Sequence, residues 1–137
     1  MYKHILVAVD GSDNSLRAME DAIKAASAES QIEILYVSPT GHIASEILKA
    51  GTLDEFNEQN REKFAREEAA VKASGIAYKV TIEYGEAGKV IADDANDNAV
   101  DLVVLGRRGL NAMQEMLFGR VSTYVMKHVD CSCLLVK

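Results

Sequence analysis

Ile5-Leu6-Val7-Ala8-Val9-Asp10-Gly11-Ser12 is an unbroken apolar run that stops on an acid, a glycine and a serine. An apolar run with no polar alternation predicts a strand buried on both faces, as in a parallel sheet. Helix period follows at once: Leu16, Met19, Ile23 and Ala26 fall on one stripe, with Ser12 or Asp13 as the cap. The same alternation spreads outward along the chain. Ile32 to Val37 reads as a second strand, stopped at Ser38-Pro39-Thr40-Gly41 by the only proline present. Leu53 to Ser74 reads as one long, charged helix with a thin stripe of Phe56, Phe64 and Val71, ended by Gly75. Tyr78, Val80, Ile82 and Tyr84 alternate with Lys79, Thr81 and Glu83, a half-exposed strand near a sheet edge. Ala87 to Asn96 is a short helix, Leu102 to Leu105 a fourth strand and Cys131 to Val136 a fifth. Between the last two, Val121, Tyr124, Val125 and His128 form a helix stripe, while His42 to Gly51 fits either a short helix or a loop. Strands alternating with helices predict one α/β domain over residues 1–137, an open parallel five-stranded sheet with helices on both faces, Rossmann-like.

The chain of 137 residues carries a net charge of -6, with 48% hydrophobic and 26% charged residues. That balance is ordinary for a globular domain, and the acidity argues against nucleic acid or an anionic membrane as partner. No apolar run approaches the ~18 residues of a membrane span, and Met1-Tyr2-Lys3-His4-Ile5 leads straight into a strand without a signal-like segment. Cys131 and Cys133 lie two apart in an extended strand, a poor geometry for a disulfide, and read as buried free thiols in a reducing cytoplasm. His4, His42 and His128 are scattered without metal-ligand spacing, so no metal site is expected.

Chemistry concentrates near the C-terminal end. Gly106-Arg107-Arg108-Gly109 follows the fourth strand, and Gly119-Arg120-Val121-Ser122 opens the last helix. Glycines at a strand end and before a helix let backbone approach a phosphate, whose charge free helix N–H groups favour. Arg107, Arg108 and Arg120 add local positive charge to an acidic chain. In an open parallel sheet, ligands bind at the carboxyl ends of strands where the strand order reverses. The first and fourth strands are the most apolar and should be central neighbours. Their ends put Ala8-Val9-Asp10 on one side of a crevice and Gly106 to Gly109 on the other, with Val37 beside the first strand. The first turn carries Asp10 and Asp13 and lacks G-x-G-x-x-G, so it suits a ribose hydroxyl or an adenine edge rather than phosphate. Ser12 and Ser15 read as caps or first-turn residues.

The opening run, Leu35-Tyr36-Val37, the spacing G-x2-G-x9-G and the closing Lys127 to Val136 together resemble the universal stress protein family, over essentially the whole chain. The resemblance implies sheet order 3-2-1-4-5, a homodimer along the fifth strand (Cys131–Val136), and ATP or AMP in the crevice, with magnesium admissible beside ATP. By position it gives Asp10 to the ribose and Ala8, Val9 and Val37 to the adenine. Gly106, Gly109, Gly119, Val121 and Ser122 go to the phosphates. Arg120 departs from the hydroxyl residue that ATP-binding members carry there, which leaves ATP, AMP and an empty site open. Ala87, where many relatives have proline, is expected away from the site.

The reading favoured is a cytoplasmic adenine-nucleotide-binding sensor or regulator in stress. Slow ATP hydrolysis or autophosphorylation has little support: no general base is evident beside the phosphates, there is no Walker lysine, and no catalytic residue is assigned. A dimeric interaction module, acting through the apolar fifth strand without a ligand, is the remaining alternative.

Overall fold

The structure, a computed structural model, describes residues 1–38, 49, 51–107 and 119–137. The predicted stop at Pro39-Thr40-Gly41, most of the stretch from His42 to Gly51, and Arg108 and Gly109 lie outside the described residues. In chain order the elements are β1 (Tyr2–Val9), α1 (Asp13–Ala25), β2 (Ala26–Ser38), α2 (Leu53–Glu62), α3 (Ala65–Ser74), β3 (Ala77–Tyr84), α4 (Ala87–Asp97), β4 (Leu102–Gly106), α5 (Arg120–His128) and β5 (Ser132–Val136). The strands form one sheet in the order β3-β2-β1-β4-β5, with every pair parallel.

Side-chain alternation along each strand divides the core into two layers. Ile5, Val7, Ile32, Ile34 and Val104 point to the face covered by Ala18, Met19 and Ala22 of α1 and Val71 of α3. Leu6, Leu35, Val103 and Leu105 point to the other face, against Ile91 and Ala95 of α4 and Val125 of α5. Each fully buried Ile, Leu or Val contributes roughly 1.5–3 kcal/mol through removal from water. Ile5, Leu6 and Val7 are all 0% exposed, which is why three consecutive apolar residues were needed.

Two expectations are corrected. The helix expected from Leu53 to Ser74 is two helices, with Phe64 at φ -120°, ψ 33° breaking the ladder. No proline or glycine marks the break. Its cause is tertiary: Phe64 is fully buried and stacks on Tyr36 at 5.4 Å, and the Lys63 carbonyl packs against Gly11. Across the break Arg61 donates to both oxygens of Glu68, which also accepts from the Tyr78 hydroxyl at 2.8 Å. The second correction is at Ala26, expected on the α1 stripe. It is extended (φ -83°, ψ 156°) and opens a β2 longer than expected, pairing with Tyr2 ahead of a register shift. Ser30 holds this irregular start, accepting from Ser27 N–H at 2.9 Å and donating to the Tyr2 carbonyl.

Candidate functional site

The order β3-β2-β1-β4-β5 reverses direction between β1 and β4. Connections leave these two strands on opposite sides, so their carboxyl ends part into a crevice. A cleft of ≈ 250 Å³ occupies that position. Its sheet-side wall is Ala8, Leu35, Val37 and Leu105, all on the face that looks toward α4 and α5. Ala87 and Ile91 of α4 and Val121 of α5 complete an apolar pocket. Polar groups gather at the rim, where Asp10, Ser12 and Ser15 come from the β1–α1 turn and Arg107, Gly119 and Ser122 from the opposite side.

The β1–α1 turn is tightly specified. Gly11 is left-handed at φ 84°, and Ser12 caps α1 by accepting the Ser15 N–H at 3.1 Å. Asp10 is exposed, and its Oδ1 accepts the Ser12 N–H at 2.9 Å. On the opposite rim Gly119 is the N-cap of α5 and supplies no side chain to its first turn. The Ser122 hydroxyl donates back to the Gly119 carbonyl at 3.1 Å, and among the described residues no side chain caps the first N–H groups of α5. An uncapped helix start carries partial positive charge and suits an anion. Gly106 has a different requirement. A Cβ there would sit 2.5 Å from the Asn14 carbonyl oxygen, so the packing of α1 on β4 already demands glycine.

A model of the universal stress protein family matches residues 1–137. The chain belongs to the universal stress protein family. Universal stress protein Sll1388 of Synechocystis sp. is 36% identical over 152 residues, covering 99% of this chain and 98% of that protein. The solved structure of protein MJ0577 superposes with a TM-score of 0.83 at 25% identity, covering 100% of this chain and 96% of that one. A universal stress protein solved in complex with cAMP has a TM-score of 0.75 at 26% identity, covering 99% and 97%.

Against this universal stress protein fold, the residues singled out in the sequence have definite places, apart from Arg108 and Gly109, which lie outside the described residues. Ala8, Val9, Asp10 and Val37 line the cleft from β1 and β2, and Gly106 and Arg107 from β4 and the residue after it. Gly119, Val121 and Ser122 line it from the start of α5. Arg120 does not line it: as the first residue of α5 it is exposed, while the helix turns Val121 and Ser122 inward. Ala87 is the reverse case, expected away from the site yet part of the cleft wall. Leu35, Ile91 and Leu105 were not singled out. Leu35 was legible, since it is two residues before Val37 and shares its face. Ile91 reaches the cleft only through the docking of α4, which no local pattern encodes.

Cys131 and Cys133 are free and half-buried rather than fully buried, packed on the α4/α5 layer, and burial pushes both thiols upward. Among the described residues no group of three His, Cys, Asp or Glu side chains is arranged to hold a metal ion. None of their helices is long and apolar enough to cross a membrane.

Proposed function

We propose that the cleft binds an adenine nucleotide and that the protein acts in the cytoplasm as a nucleotide-responsive regulator in stress. One observation carries the reading: an apolar pocket lies between an exposed carboxylate, Asp10, and the start of α5, which no side chain caps among the described residues. An adenine ring suits the pocket of Ala8, Leu35, Val37 and Ile91. The ribose hydroxyls would donate to Asp10, whose charge strengthens such bonds. The first phosphate would take N–H groups from the opening turn of α5, with the Ser122 hydroxyl released from the Gly119 carbonyl, and Arg107 nearby on the rim. The relative solved with cAMP carries an adenine nucleotide on the same fold, which supports this choice of base. ATP and AMP share that first phosphate; Arg120, exposed at the helix start, stands where it would meet a longer phosphate chain from outside. Titration calorimetry with ATP, ADP and AMP tests the reading. Binding heat with at least one, together with thermal stabilisation, is expected, and no heat with any of them overturns it.

A homodimer through β5 belongs to the same proposal. β5 is a sheet edge, and Leu134 on it is 37% exposed. An apolar edge invites pairing. The two free thiols fit a reducing compartment. Leu134→Arg is expected to give a monomer by light scattering where the parent chain is a dimer; a monomeric parent removes this part of the proposal.

A further inference from the structure

We propose that Glu67 is a positioning residue for the ribose side of the cleft, holding the β1–α1 turn from beneath so that Asp10 faces the ligand. The inference rests on the nucleotide reading above and names a residue outside the cleft lining on which that reading depends.

Glu67 is on the first turn of α3, fully buried at 0% exposed. Its Oε2 accepts two hydrogen bonds, from the Gly11 N–H at 3.1 Å and from the Ser15 hydroxyl at 2.8 Å. A hydroxyl has one proton to give. With that proton committed to Glu67, Ser15 Oγ presents lone pairs to the other side, where it accepts the Asp10 N–H at 3.1 Å. Asp10 is then fixed at its own N–H and, through Oδ1, at the Ser12 N–H. Its Oδ2 has no partner among the described residues and is the acceptor left for a ribose hydroxyl.

The grip is completed from the same segment. Arg66 donates to the Gly11 carbonyl at 3.1 Å and to Asp13 at 3.0 Å. The Lys63 carbonyl lies so close that a Cβ on Gly11 would come within 2.3 Å of its oxygen. Both peptide groups of Gly11 are thereby held by α3, and the break between α2 and α3 is what delivers them. Stability alone does not explain an acid here. A buried carboxylate is costly to desolvate, and apolar replacements of buried ionic groups are often neutral or better. A fixed acceptor for two donors of the turn, by contrast, sets its geometry. Glu67 Oε1 has no partner among the described residues, so the acid is not placed to saturate its own hydrogen bonds.

The test compares AMP with 2′-deoxy-AMP by calorimetry for the parent chain and for Glu67→Gln, Glu67→Leu and Ser15→Ala. The parent is expected to prefer AMP by about tenfold, the scale of one hydrogen bond to a charged acceptor. Glu67→Gln keeps an oxygen for Gly11 and Ser15 and should hold that preference to within about threefold. Glu67→Leu and Ser15→Ala should reduce it to near unity. A merely structural role would lower the melting temperature and leave the ratio alone. Should Glu67→Leu fail to fold, Ser15→Ala decides, because it removes only a hydroxyl. A parent that discriminates beside folded variants that discriminate equally well overturns the inference alone. A parent that binds neither of these overturns the inference, and one that also binds neither ATP nor ADP overturns the nucleotide reading with it.

Discussion

At the carboxyl end of the sheet Glu67 accepts hydrogen bonds from Gly11 and Ser15, whereas toward the amino end Glu33 faces a second acid, Asp94. Both glutamates are buried, at 0% and 1% exposed. Their surroundings differ in kind. Around Glu67 the neighbours are donors, and the positive start of α1 adds to them. Around Glu33 burial and the adjoining Asp94 on α4 raise its pKa to about 7, against the weaker opposing pull of Thr81 and Lys79 on β3. His4 of β1 stands 3.4 Å from Glu33 Oε1. Neither Glu33 Oε1, Asp94 Oδ2 nor His4 Nε2 has a hydrogen-bond partner among the described residues. Burial and the adjoining acid favour the protonated form of Glu33, whereas Glu67 is held by a backbone N–H and a hydroxyl. The glycines repeat the contrast. Gly11 and Gly106 at the carboxyl end have backbone carbonyl oxygens where a Cβ would go, while Gly75, ahead of β3 at the amino end, has nothing within 4 Å. The end that carries the cleft is over-determined, and the other end is merely packed.

Substitutions can break that contrast. The largest effect is expected from Gly11→Ala, which meets both a left-handed φ and the Lys63 carbonyl; a loss of about 4 kcal/mol in denaturant unfolding is predicted. A loss below about 1 kcal/mol would mean that the turn is not clasped. Next comes Glu33→Gln, with the opposite sign. Because the folded pKa of about 7 lies above the ordinary 4.5, the native state binds this proton more tightly than the unfolded chain does. Stability therefore falls as pH rises from the ordinary value toward 7 and is level above it. Gln has no carboxyl to titrate, so the variant should gain about 2 kcal/mol at pH 8 and almost nothing at pH 4. Unfolding curves at the two pH values check this, and an equal change at both would refute the raised pKa of Glu33. Gly75→Ala is the smallest: φ 78° with open space around it predicts a loss of about 1 kcal/mol, from backbone conformation alone.

The same two ends show what the sequence could and could not disclose. Ile5 to Val9 and Leu102 to Leu105 had to be central strands because they are apolar at consecutive positions, and both lie between neighbours in the sheet. Asp10 and Gly119 were legible as rim residues because each follows directly on a strand end or precedes a helix. The break at Lys63-Phe64 was not legible, since nothing local causes it; the approach of Gly11 from a distant turn does. Glu33 left a readable trace, a lone charge inside Ile32-Glu33-Ile34-Leu35. Glu67 left none, because Arg66-Glu67-Glu68 looks like any solvated helix face. Arg120 was legible only as a charge near the phosphate side; that it is exposed on the first turn of α5, outside the cleft lining, follows from helix geometry.

The proposed occupant of the cleft between β1 and β4 is an adenine nucleotide. Its most direct test is an AMP titration of the uniformly 15N-labelled protein followed through backbone amide resonances. The largest shifts are predicted at Val9 to Ser12, Val37, Ile91 and Arg120 to Ser122, saturating together along one binding curve. Shifts confined to the β5 edge, or none at millimolar AMP, would contradict it.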